Sequence, residues 1–243
     1  MKTAMTPRRR PIRLNFGMTL CALPVLTLLV GLGFWQLDRL EWKEALIYER
    51  AYRGAMPIIP IADLPNDEWQ EFEYRRLALQ GRYLHDREML IWNKVRHGQN
   101  GFDLITPFLL ESGSSVLINR GWVPPSWSEG VIFRSRPVGS IKLTGVMRRS
   151  GRPTKWVPDN NAKGDEWFFV DVTEMAKSAG LTDTKPYLVI VKPNIEDRSY
   201  PKAPHARDKI RNKHLEYAVT WFGLAGTLVV IYVAYHWRRR IIS

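Results

Sequence analysis

The chain has 243 residues, enough for one or two ordinary domains, and a formal net charge of +12. Lys2, Arg8, Arg9, Arg10 and Arg13 at one tip and Arg238, Arg239 and Arg240 at the other flank apolar runs and form no single patch, which argues against nucleic acid as a partner. The single cysteine, Cys21, excludes an intramolecular disulfide and any Cys-x-x-Cys chemistry.

In chain order, residues 1–13 read as a basic cytoplasmic segment and 14–37 as a first transmembrane helix, uncharged from Phe16 to Leu37. Pro24 interrupts that run, which membrane helices tolerate when neighbours re-satisfy the backbone. The run is too long for the apolar region of a cleaved signal peptide, and no small-x-small site follows it, so it reads as a retained anchor. Bases crowd its N-terminal side, and Lys and Arg are held in the cytoplasm, which puts the N-terminus inside. Residues 38–213 are rich in charge. A charge at the bilayer centre costs about 2.5–3.5 kcal/mol, so this segment reads as a water-exposed domain on the outer side, the periplasm of a Gram-negative cell.

Within that segment, Leu37–Gly54 reads as a helix continuing the first span, with Gly54 as its stop, and Pro57–Pro65 as a proline-broken connection. The period then changes to two. Strands are expected at Tyr74–Leu84, Met89–Trp92, Phe102–Leu110, Ser115–Val123, Ile141–Arg148, Glu166–Val170 and Tyr187–Lys192, with a hairpin at Glu111–Ser114. Gly81 reads as a bulge or a close backbone approach, and Asn119-Arg120-Gly121 as a turn after its strand. Val172–Ala179 reads as a short helix capped by Asp171, with Glu174 at its third position and Gly180 after it. The fold class is therefore α+β: two transmembrane helices bracketing a compact extracytoplasmic domain with a mainly antiparallel sheet and short helices. Residues 214–237 form the second transmembrane helix, whose uncharged stretch Tyr217–Tyr235 spans about 28 Å at about 1.5 Å per residue. Tyr217, Trp221, Tyr232, Tyr235 and Trp237 lie toward its ends, where aromatic rings favour the interface, and 238–243 is a basic cytoplasmic tail.

No nucleotide-binding glycine loop, Gly-x-Ser-x-Gly or His-Glu-x-x-His occurs, so no enzymatic role is expected, and a membrane-tethered hydrolase would need an acid and a base that converge in the domain. Of the five histidines, His85 and His97 read as solvated loop residues, His205 as part of a basic linker and His236 as an interfacial residue. His214 differs because it stands at the mouth of the second span. On a 3.6 period it shares a face with Tyr217 and Trp221. Imidazole is a common axial ligand of haem iron, and an aromatic strip suits a porphyrin plane. The same position also suits an interfacial histidine bonded to water or to the soluble domain. Arg207, Lys209, Arg211 and Lys213 are placed to pair with propionates or with lipid phosphates.

Several motifs hold their order along the chain. Gly33-x-Trp35-Gln36-x-x-Arg39 ends the first span. Gly81-Arg82-Tyr83-Leu84-His85 follows, then Thr106-Pro107-Phe108 and Val116-Leu117-Ile118-Asn119-Arg120-Gly121-Trp122-Val123-Pro124. Val157-Pro158-Asp159-Asn160-Asn161 comes next with Trp167, and last Asn212-x-His214-Leu215-x-Tyr217-x-x-Thr220-Trp221-Phe222. Together they resemble the surfeit-locus (Surf/Shy) family of cytochrome c oxidase assembly proteins in a bacterial form. The resemblance implies an assembly factor of the haem-copper oxidase, acting where haem a enters the catalytic subunit. It makes that subunit, other assembly factors and membrane lipid the expected partners. It also implies His214 as the contact to haem iron, beside Tyr217 and Trp221, and makes Trp35, Gln36 and Arg39 partner or motif residues, as it does Asn119, Arg120, Gly121 and Trp122, whose functional reading is contact with the oxidase or with the second span. The alternative is a membrane scaffold that stabilises an oxidase intermediate without touching haem. Either version sits in the inner membrane with both termini cytoplasmic.

Overall fold

The computed structural model describes residues 15–65, 67–127, 136–151, 154–191, 200–202 and 212–242. The chain divides into two compact units, Met1–Tyr48 with Ile210–Ser243, and Glu49–Lys209. The boundary falls inside the first helix.

The first unit is built on α1 (Phe16–Ala55) and α3 (His214–Ile242), both long and apolar enough to cross a bilayer. Leu20, Leu23, Leu28, Val219, Val230 and Val233 are all exposed, so neither helix is the core of a water-soluble bundle. Helices apolar all round have lipid as their solvent. α1 carries Pro24 inside it and continues without a break past Leu37, as the sequence predicts. Asn15 caps it: its side chain accepts from Met18 N–H at 3.3 Å.

The second unit is a closed barrel. Five strands, β2 (Arg76–Tyr83), β6 (Ile141–Arg148), β7 (Thr184–Val191), β5 (Ser115–Val123) and β4 (Gln99–Leu110), pair in that order, and β4 returns to β2. All these pairings are antiparallel except β5 with β7. β1 (Ile59–Pro60) and β3 (Met89–Arg96) extend the sheet beside β2 and β4. Closure happens at Gly81, which pairs with both Ile141 of β6 and Leu110 of β4. A Cβ there would collide with the Leu109 carbonyl and stand 2.9 Å from the Phe108 ring, so the close approach expected of Gly81 is present.

β5 is buried along its whole length because both of its faces are covered. Val116 and Ile118 point to the barrel core with Leu77, Leu79, Phe108, Met147 and Val189, while Leu117 joins Met89, Ile91, Trp167 and Met175 on the other side. Met175 belongs to α2 (Val172–Ser178), whose N-cap Asp171 accepts from Glu174 N–H at 3.0 Å. Gly180 follows at φ +66, as its stop-signal role requires. The β4–β5 hairpin turns where expected, with Gly113 at φ +89.

Three local expectations need correction. Glu166–Val170 is not a strand; its contacts are isolated bridges, Asn161 to Glu166 and Ile91 to Trp167. The Asn160 side chain takes the place of a ladder, accepting from Phe168 N–H at 2.9 Å and donating to the Phe169 carbonyl at 3.2 Å. β3 runs on to Arg96, past a register shift between Ile91 and Lys94 where Asn93 takes φ +60, and that bulge hides the period of two. Asn119-Arg120-Gly121 is no turn but the interior of β5. Ile105 pairs with Asn119 and Leu104 with Gly121, so Arg120 is the extra residue of a bulge, and Gly121 adopts φ +122.

Candidate functional site

His214 is the first residue of α3, and its backbone N–H is held by Asn212 Oδ1 at 3.3 Å. Its ring meets α1: His214 Nδ1 lies 2.6 Å from Gln36 Oε1. A carbonyl oxygen brings no proton, so Nδ1 donates, and a neutral ring bonded in this way has its lone pair on Nε2. Gln36 and Gly33 are the residues of α1 that are buried. Gly33 is required by packing, since a Cβ there would stand 2.6 Å from the Phe222 ring. Phe222 also meets Phe34 edge-on, with centroids 5.5 Å apart. Two letters of the Gly-x-Trp-Gln motif therefore specify where α1 receives α3.

The expected strip of His214, Tyr217 and Trp221 is only partly present. At about 100° per residue, Trp221 falls roughly 20° from His214 around α3, but Tyr217 roughly 60°. The buried positions Ala218, Ala225 and His236 lie on the His214 side, whereas Tyr217 is 53% exposed. Trp221 Nε1 is buried and has no acceptor among the described residues. Trp35 is exposed, and Arg39 stacks its guanidinium over Trp42 at 4.2 Å, which explains the last letter of that motif locally. Lys213 Nζ is 3.9 Å from Glu216; Arg207, Lys209, Arg211 and His205 lie outside the described residues.

Asn119, Arg120 and Trp122 are all buried in the barrel. Asn119 Oδ1 accepts the Gly121 N–H at 2.9 Å and locks the bulge, and Trp122 Nε1 donates to the Lys94 carbonyl at 2.9 Å. Arg120 donates to Glu88 Oε1 at 2.9 Å and lies over the Tyr83 ring at 4.7 Å. Arg136 holds the second carboxylate oxygen at 2.9 Å. Burial pulls the Arg120 guanidinium below its usual range, opposed by Tyr83 and Glu88. Burial likewise pushes the Tyr83 phenol up to about 12, against the pull of Arg120.

His85 is no solvated loop residue. Nδ1 is 3.0 Å from Glu88 Oε1, and Nε2 is 2.9 Å from the Pro137 carbonyl. An acid and a base do meet here, as a hydrolase would require, but Arg120 and Arg136 occupy the carboxylate. Among the described residues no group of three or more His, Cys, Asp or Glu gathers to hold a metal ion.

Sequence reasoning placed His236 at the interface and missed its bond to the other helix. It is buried, its Nδ1 is 2.8 Å from the Tyr232 carbonyl, and its Nε2 is 3.2 Å from Asn15 N. A turn away, the Thr19 and Tyr232 hydroxyls lie 2.6 Å apart. The signal was present as the spacing of His214 and His236 on one face of α3.

Two bilayer-length helices joined through polar pairs, with a closed barrel between them in the sequence, define a two-span membrane protein that carries a β-barrel module. A profile of the SURF1 family matches residues 23–226. The chain is 30% identical to a SURF1-like protein of Rickettsia felis over 92% of this chain and 98% of that one. It is 31% identical to Surfeit locus protein 1 of Gallus gallus over 87% of this chain and 71% of the other. A SURF1-like protein of Drosophila melanogaster is 30% identical over 93% of this chain and 78% of its own length. The chain belongs to the SURF1 family.

Proposed function

We propose that this protein assists assembly of a haem-copper cytochrome c oxidase, presenting or receiving haem a beside the catalytic subunit. The observation that carries the reading is the His214–Gln36 bond, because it turns a ligating Nε2 away from its only described hydrogen-bond partner on the ring. The residues fit the group in a second respect. Trp221 keeps a buried indole N–H without an acceptor among the described residues, on the same side of α3, and haem a carries carbonyl and carboxylate oxygens. Haem a, if bound, would supply an iron that an imidazole nitrogen can ligate. His214 holds that nitrogen at the end of the span, Gln36 fixes the ring, and Trp221 offers the donor.

The basic N-terminal tip supports a topology with both termini in the cytoplasm and the barrel in the periplasm, which sets this end of α3 at the outer rim of the inner membrane. A reporter fused near residue 120 tests it; a cytosolic signal would overturn it. For the cofactor, the chain is purified from cells that make haem a and its visible spectrum recorded. A Soret band that disappears in His214→Ala is expected. A colourless wild type would leave the haem-free scaffold as the better account of the family role.

A further inference from the structure

The geometry points to Gln36 as the positioning residue that holds His214 in the Nδ1–H tautomer, so that Nε2 is its ligating nitrogen. The role in haem handling rests on the reading above; the tautomer itself does not. A neutral histidine side chain in water carries its proton mainly on Nε2, which leaves the lone pair on Nδ1, the nitrogen nearer the backbone. Gln36 reverses that preference. Its Oε1 is 2.6 Å from Nδ1 and can only accept, while its amide is buried on a helix whose other described buried residue is a glycine. A buried amide on an apolar helix is expensive unless its partner is fixed.

The surroundings hold that partner. His214 is tied at its backbone to Asn212, and the Gly33–Phe222 contact sets how α1 and α3 meet one turn below Gln36. An N–H that donates to a carbonyl also makes the opposite nitrogen more basic, which is how outer-shell partners strengthen a ligating imidazole. One methylene fewer, as in Gln36→Asn, withdraws the oxygen; Gln36→Glu keeps both reach and acceptor.

The test uses the full chain, free of haem, in lipid nanodiscs, with nitrogen-15 in its histidines and at a pH where the rings are neutral. The His214 signals are assigned by their loss in His214→Ala. Wild type and Gln36→Glu are expected to show a protonated Nδ1 and a bare Nε2, and Gln36→Leu a proton mainly on Nε2. The His236 signals monitor the helix pair; if Gln36→Leu disturbs them, Gln36→Asn replaces it, with the same expected shift. A wild type with its proton on Nε2, or a tautomer that ignores Gln36→Leu and Gln36→Asn, overturns the inference. In haem-loaded protein, Gln36→Leu is expected to weaken haem binding about 10–100-fold, with a lower iron–imidazole stretching frequency. A wild type that takes up no haem yet keeps the Nδ1 proton overturns the functional reading alone. Haem held through His214 with an unshifted tautomer in the variants overturns the Gln36 role alone.

Discussion

His236 Nε2 accepts the backbone N–H of Asn15 at 3.2 Å, at the far end of the helix pair from the His214–Gln36 bond. At about 1.5 Å per residue, the two bonds stand about 33 Å apart along α3 and about 32 Å along α1. That is close to the ~30 Å hydrocarbon core. Each rim is thus closed by a histidine from α3, but the chemistry differs. At His236 both ring nitrogens are used, Nδ1 toward the Tyr232 carbonyl and Nε2 toward Asn15. At His214 only Nδ1 has a described partner, which is why His236 is structural and His214 is the candidate ligand.

The Asn15 N–H would otherwise be an orphan at the start of a helix. Replacing His236 by Phe keeps the ring's volume and removes the acceptor. A hydrogen bond between membrane helices contributes about 0.6–1.5 kcal/mol, so amide exchange at Asn15 is expected to accelerate roughly three- to twelve-fold. Exchange followed by NMR on the full chain in nanodiscs reads this directly; an unchanged rate would mean that the bond does not hold the rim.

Gly33 makes a sharper demand. An added methyl lands 2.6 Å from the Phe222 ring, so Gly33→Ala must displace a ring that also packs on Phe34. Overpacking of this kind costs about 1–3 kcal/mol. Gly33→Ala with Phe222→Leu is expected to recover most of that loss, making the pair non-additive in a double-mutant cycle of thermal stability. Strict additivity would show that the glycine is there for another reason.

Much of this was visible in the letters, and the failures share a cause. Bilayer length, the capped α2 and the β4–β5 hairpin are local patterns, and they folded as read. Which face of α1 meets α3 is not local: a helix apolar all round has no stripe to betray its partner. Barrel closure depends on β2 meeting β4, and Gly81 was its only trace. Arg120 misled because an Asn-Arg-Gly after an apolar run reads as a turn. Here it faces inward to Glu88, 32 residues away in sequence. His85 was misplaced because one of its two partners, the Pro137 carbonyl, lies 52 residues away in sequence.

The Arg120–Glu88 pair gives a test of that correction. Both side chains are under a tenth exposed, at 5% and 9%, so removing Arg120 takes from Glu88 its buried cation and leaves it His85 and the half-exposed Arg136. Breaking a buried pair costs about 3–5 kcal/mol, and Arg120→Ala is expected to lower Tm by roughly 6–20 °C. Arg120→Lys should recover little, because a lysine cannot stack on Tyr83 and reach Glu88 with a planar fork. Arg136 is 43% exposed, so its pair with Glu88 is solvent-screened, and Arg136→Ala should cost below about 1 kcal/mol. Equal losses for Arg120→Ala and Arg136→Ala would contradict the burial argument.

Two tyrosines in the barrel core set an alkaline limit. Burial pushes Tyr187 up to about 12, from an ordinary value of 10.0, and Tyr83 to about 12 as well. A phenol whose pKa is raised on folding binds its proton more tightly in the folded state. Its contribution is therefore complete below pH about 10, and is lost as pH rises toward 12. Two pKa units correspond to about 3 kcal/mol for each group. Tyr83 touches the Arg120 guanidinium, so replacing it would also disturb the ion network. Tyr187 is shifted by burial alone, which makes Tyr187→Phe the cleaner probe. Between pH 10 and 12 the wild-type Tm should fall steeply, and that of Tyr187→Phe more shallowly by the share of one phenol. Parallel curves for the two proteins would show that the Tyr187 hydroxyl reaches water before the barrel opens.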